Sequence, residues 1–164
     1  DFEDVSVFVL TSERELTLID KQTECVFMWA TSEGDAVGVV MNYVFHDGRF
    51  WLTGSGQRKR FVALARRPRA AVAITSRGTD IGVSQSVTYK GPVVLHDDDD
   101  TKAWFYPALA ARVRPDNAEH QAGFVKFLDS PRRIVIELIP EARIGFDAEN
   151  MFVDTGAGPS RTKV

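Results

Sequence analysis

The densest run of side chains able to do chemistry is WLTGSGQRKRFVALARRPR, residues 51–69. From Gln57 to Arg69 stand six basic residues, Arg58, Lys59, Arg60, Arg66, Arg67 and Arg69, and no acid, in a chain of formal net charge -3. The pattern reads as a strand ending at Thr53, a Gly54-Ser55-Gly56 turn and a helix opening near Arg58. Backbone N–H groups at such a junction carry positive partial charge outward. With Arg58 as a planar fork and Lys59 as a point charge, the junction suits a phosphate monoester. The competing reading is a solvated basic helix that only follows a strand. Other chemistries fail on spacing. Lys59 takes the place of the third glycine of a dinucleotide fingerprint, no GxxxxGK[ST] loop exists, and Ser55 sits in no GxSxG elbow.

The remaining reactive residue types are scattered. His46, His96 and His120 show no HxH or HExxH spacing, so no metal is expected. Asp97–Asp100 lacks the spaced ligands of a calcium loop and reads as a helix cap. Cys25 is the single cysteine; it precedes an apolar strand and reads as a buried, inert thiol. Trp104, Phe105 and Tyr106 read as packing before they read as a ligand lid. Tyr43 and Tyr89 are candidate proton donors, with packing the preferred role for both, so the catalytic residues stay unassigned.

The elements that must position the basic corner are mostly strands. Residues 24–31 and 36–46 flank a turn-like SEGD, and His46-Asp47-Gly48 turns the chain into 49–54 as a hairpin. Residues 70–76 form a short apolar strand. Residues 81–90 alternate, with Ile81, Val83, Val87 and Tyr89 on one face and Gly82, Ser84, Ser86, Thr88 and Lys90 on the other. Residues 132–139 place Ile134, Ile136 and Leu138 on one face, and 142–147 follow. The helices are fewer. Ser12 with Glu15 and Asp116 with Glu119 form capping boxes. Residues 58–66 form a helix, and TKAWFYPALAARV forms two short ones, because Pro107 disfavours a continuous helix. This predicts a mainly β fold, a six- to seven-stranded antiparallel barrel or sandwich with short helices.

The chain has 164 residues, of which 44% are hydrophobic and 26% charged, which suits a single domain over 1–164. Within it, 1–23 read as an N-terminal strand and helix, 97–130 as a helical insert and 154–164 as a flexible tail. The acidic balance disfavours a nucleic-acid partner. No run of roughly 18 apolar residues supports a membrane span, and DFEDVSVFVL does not read as a signal peptide, so a cytoplasmic protein is expected.

The order strand, WLTGSGQRK, helix, ARRPRAAVAI, then a long strand ending in YKGPVVL resembles the pyridoxamine-phosphate-oxidase-like superfamily, the FMN-binding split barrels. The closing RRIVIELIPEARIGFD is similar to that family's last strand pair. The resemblance implies a split β-barrel homodimer with two cofactors at the subunit interface. It implies FMN, or the deazaflavin F420, with its phosphate on Thr53, Arg58 and Lys59. Met41 and Asn42 would approach the ring, Ser86 would serve its edge, and Leu52, Ser55 and Arg60 complete the cofactor-binding set. Arg60, Arg66 and Arg67 could also serve the acidic tail of F420. Pyridoxamine phosphate oxidases carry Arg and Lys where this chain has Val37 and Asn42, and Gln where it has Ser86. A small organic substrate other than a vitamin B6 phosphate is therefore implied. The function expected is a flavin- or deazaflavin-dependent oxidoreductase; the alternative is a non-catalytic carrier or sensor.

Overall fold

The structure, a computed structural model, describes residues 4–81 and 84–155. After a single short turn of helix at Val5–Val7, α1 (Ser12–Lys21) leads into β1 (Glu24–Ala30), β2 (Ala36–Asn42), β3 (Val44–His46) and β4 (Arg49–Ser55). Then come α2 (Lys59–Arg66), β5 (Arg69–Thr75), β6 (Gln85–His96), α3 (Asp99–Val113) and α4 (Ala118–Leu128). The chain closes with β7 (Arg133–Leu138), β8 (Ala142–Asp147) and α5 (Ala148–Thr155).

The strands form one eight-stranded antiparallel sheet in the order β2-β1-β5-β6-β7-β4-β3, with β8 also on β6. Helices occupy nearly as many residues as strands, so the fold is mixed α/β rather than mainly β, with eight strands rather than six or seven. β6 makes the sheet curl. Its first half pairs with β5 and β8, from Ser86↔Thr75 and Gln85↔Asp147 onward. Its second half, from Val93 to His96, pairs with β7 instead. At the changeover a Cβ on Gly91 would fall on the carbonyl of Ile139, so only glycine lets the two backbones cross.

Alternation sends Phe27, Phe50, Leu52, Val72, Ile74, Val87, Ile136 and Leu138 inward, where Leu18 and Ile19 of α1 and Phe61 and Leu64 of α2 plug the half-barrel. A second core lies outside β4 and β7. Val44, Trp51 and Val135 meet Phe105, Leu109 and Leu128 of α3 and α4 there, so β7 is buried on both faces.

Several local expectations shift. α3 is one helix through Pro107. Ala103, whose carbonyl loses its partner to the proline, is exposed, as is Pro107, so the lost bond lies on the solvent side while Phe105, Tyr106 and Leu109 hold the helix on the sheet. The 36–46 segment breaks at Tyr43, which turns inward and donates its hydroxyl to the carbonyls of Ile19 (2.6 Å) and Gln22 (2.8 Å) at the end of α1. The cap of α1 is Thr11, not Ser12, and that of α4 is Asn117, not Asp116; each accepts from the N–H three residues on. Asp98 caps α3 by accepting from Thr101 N at 2.8 Å. β6 begins at Gln85, after Ser84 at φ 58; Gly82 and Val83 lie outside the described residues. Asp154 and Thr155, expected in a tail, end α5, and 156–164 lie outside the described residues. The Asp47-Gly48 hairpin is as read, with positive φ of 53 and 71 that match a two-residue turn. Among the described residues no helix is long and apolar enough to cross a membrane.

The crossing at Gly91 yields a stability expectation. Gly91→Ala has to displace a backbone carbonyl, and should destabilise the fold by about 3 kcal/mol or more in urea unfolding. A loss within about 0.5 kcal/mol would show that the crossing is looser than described.

Candidate functional site

β4 and β7 pair from Phe50↔Leu138 to Ser55↔Arg133, so the far end of β4 is anchored by the start of β7. Thr53 Oγ1 donates to the Ile134 carbonyl at 2.8 Å. Beyond the strand, Gly56 N–H donates to Arg132 O at 2.7 Å, and Arg58 N–H closes the turn on Ser55 O at 3.0 Å. α2 starts there with no side-chain cap on its first turn, so the N–H groups of Lys59 and Arg60 project from its end. Arg58 and Lys59 are exposed beside them.

Arg60 turns back under the strand. A Cβ on Gly54 would lie 2.9 Å from Arg60 Nη2 and 3.1 Å from the Phe61 ring, so the glycine makes room for the guanidinium. Arg60 Cζ sits 5.7 Å from the Phe61 centroid, while its Nε is buried with no hydrogen-bond partner. Burial holds this guanidinium below the usual arginine range, and the charge of Arg58 pushes the same way. Elsewhere cations find acids: Arg14 meets Asp147 at 3.0 Å, Arg143 meets Glu15 at 2.7 Å, and Arg49 meets Glu137. Among the described residues no ion pair reaches Arg58, Lys59 or Arg60.

Two further arginines adjoin this corner through their backbone. Arg132 supplies the carbonyl that binds Gly56, and Arg133 is the register partner of Ser55. Arg133 lies over the Phe127 ring at 5.6 Å, and its Nε is also buried without a partner. They stand over seventy residues from Arg58, so the basic run alone could not reveal them; a pairing of WLTGS with RRIVIEL would have done so.

Of the residues expected to bind cofactor, Thr53, Ser55, Arg58, Lys59 and Arg60 all belong to this junction, but alternation along β4 turns Thr53 and Ser55 to the Trp51 face, opposite the Gly54 side where the Arg60 guanidinium lies. The others lie on other elements. Leu52 is 0% exposed inside the half-barrel. Met41 packs against the same core, and Asn42 Nδ2 donates to Thr23 O at 3.2 Å. Ser86 stands on β6 between Thr75 and Phe146. The phenols are engaged internally. Tyr43 bonds two carbonyls beneath Arg112, and Tyr89 donates to the buried carboxylate of Glu15; burial raises the pKa of both. Cys25 is 2% exposed, and burial pushes its thiol up to about 12. His96 is spent on Glu137 at 2.7 Å, and His46 lies against Trp104 with ring centroids 4.8 Å apart.

An unpaired guanidinium nitrogen, an uncapped helix start and converging cations fit the anionic end of a ligand. No family model matches the sequence, and no curated protein matches it. Solved structures do match in shape. The conserved hypothetical protein Rv2991 from Mycobacterium tuberculosis superposes with a TM-score of 0.73 at 16% identity, over 88% of this chain and 89% of its own. An F420 reductase gives 0.60 at 16%, over 78% of this chain and 94% of its own. HutZ, the heme storage protein from Vibrio cholerae, gives 0.61 at 12%, over 84% and 97%. At these identities the likeness shows the fold, a curled antiparallel half-barrel of the split-barrel kind.

Two outcomes follow from the geometry. Arg60→Met removes a charge that has no partner, so thermal stability should stay level or rise by up to about 1 kcal/mol. A loss above about 2 kcal/mol would make the guanidinium a packing element. The Cys25 thiol should resist a disulfide-exchange reagent at pH 8 in the native chain and react at once in denaturant; fast native labelling would contradict its burial.

Proposed function

Taking the split-barrel fold as premise, we propose that this chain is an oxidoreductase that holds the phosphate of FMN, or of the deazaflavin F420, at the β4–α2 corner. It acts on a small organic substrate by hydride or electron transfer. The observation that carries this reading is the buried, unpartnered Nε of Arg60 beneath Gly54, set beside an uncapped helix start and two exposed cations. A half-buried cation without an acid costs stability, and a bound dianion offsets that cost.

The roles of the residues differ. The N–H groups of Lys59 and Arg60 and the Arg60 guanidinium donate to the phosphate oxygens, while Arg58 and Lys59 close over them as fork and point charge. Thr53 has given its proton to Ile134 O, so it fixes the strand end and offers the ligand only a lone pair. The Arg132 carbonyl holds the turn through Gly56 N–H. When bound, the flavin or deazaflavin supplies the redox chemistry, and the protein orients it and sets its electrostatic surroundings. Met41, Asn42 and Ser86 border the ring only if it runs from the corner along β2 toward a second copy of the chain, so a homodimer belongs to this proposal.

A non-catalytic carrier is the second reading, and the internal commitment of Tyr43 and Tyr89 favours it, since neither phenol is free to give a proton to a ligand. The test is the visible spectrum and mass of what copurifies with the full chain, with the Arg58→Ala/Lys59→Ala variant alongside. Wild type should retain FMN or F420, and the variant at least ten-fold less at unchanged circular dichroism. Equal retention would reject the phosphate assignment. Steady-state reduction by a nicotinamide or by reduced F420 then separates enzyme from carrier.

A further inference from the structure

α3 and α4 pack side by side over β4 and β7, and a groove of about 240 Å³ lies between them, with the start of α3 beside the end of α4. One wall is the face of α3 on which Asp99, Ala103, Tyr106 and Pro107 recur at helical spacing. The other is Val125 and Asp129, one turn apart on α4. The volume is at the small end of ligand pockets.

Oxygen atoms without partners gather along this groove. Pro107 has no N–H to give the Ala103 carbonyl, and both residues line the groove, so a free acceptor stands there inside an otherwise bonded helix. Tyr106 is 4% exposed, and its hydroxyl is buried with no hydrogen-bond partner. Burial raises the pKa of this phenol, Arg133 opposes the shift and Asp129 adds to it, so the hydroxyl lies toward the Asp129 end. Asp129 itself caps the C-terminus of α4, where the helix dipole is negative and disfavours a carboxylate. Among the described residues neither Asp99 nor Asp129 has an ion pair, and Lys102, the one cation of the lining, pairs with neither. A carbonyl, a phenol oxygen and two carboxylates beside the apolar surfaces of Val125 and Pro107 suit a ligand rich in N–H donors.

We propose that the α3–α4 groove binds a small primary amine as its ammonium, which donates to the Ala103 carbonyl and to Asp129 and gives the Tyr106 hydroxyl a partner, while its apolar body rests on Val125 and Pro107. Asp99 adds negative potential, and Lys102 works against the ligand. The site shares no residue with the β4–α2 corner and does not rest on the redox reading.

NMR titration of the full chain with benzylammonium, neutral benzyl alcohol and benzoate tests it. Benzylammonium should bind once per chain, about ten-fold tighter than the alcohol or more, with amide shifts centred on α3 and α4, and benzoate should not bind. Asp129→Asn should weaken benzylammonium about ten-fold and leave the alcohol unchanged. Pro107→Ala restores the N–H that takes the Ala103 carbonyl. That variant should not lower thermal stability, yet should weaken benzylammonium about three-fold, a loss that unfolding cannot explain. Lys102→Met removes the opposing charge and should tighten binding about three-fold. Equal affinity for amine and alcohol, no effect of Asp129→Asn or of Pro107→Ala, or shifts centred outside α3 and α4 would overturn the proposal.

Discussion

The architecture depends on how closely two backbones pass at Gly91, where the Ile139 carbonyl fills the place of a side chain. There β6 leaves β5 and β8 and takes β7 as its partner. A sheet that changes partners along one strand must curl, and the curl encloses the core that α1 and α2 plug. The same exchange leaves β7 free to pair with β4 on its other edge, which sets Ser55 against Arg133 and Gly56 against Arg132. The cationic corner is thus assembled by a crossing on the far side of the barrel.

Charge is distributed unevenly around that frame. The buried acids are each answered: Glu15 by Tyr89 and Arg143, Asp147 by Arg14, Glu137 by Arg49 and His96. These clusters tie α1, α5 and the β3–β4 hairpin to the sheet. Among the described residues the buried acids are thus neutralised while the Arg58–Arg60 cations have no ion-pair partner, which leaves positive potential at the β4–α2 corner.

Much of this was legible in the sequence. The Asp47-Gly48 hairpin, the strand-turn-helix at Thr53–Arg60 and the short apolar strand at 70–76 are local patterns, and local rules read them correctly. The failures are places where tertiary packing overrode a local rule. Pro107 stays helical because its lost hydrogen bond faces water and its neighbours are held in a core. The 36–46 run breaks at Tyr43 because the phenol caps α1. Arg60 reads as one more surface cation until Gly54 is seen to leave room for it, and Arg132 and Arg133 join the corner only through strand register. Single-sequence reading sees spacing but not register.

The most direct test of the central claim compares each chromophore with and without its phosphate. Calorimetric affinities of the apo-chain would be measured for FMN against riboflavin, and for F420 against its phosphate-free chromophore. If the β4–α2 corner grips the anionic end, one phosphorylated form binds at least a hundred-fold tighter than its truncated partner, and the ratio shrinks with added salt. Equal affinities within both pairs would contradict the account.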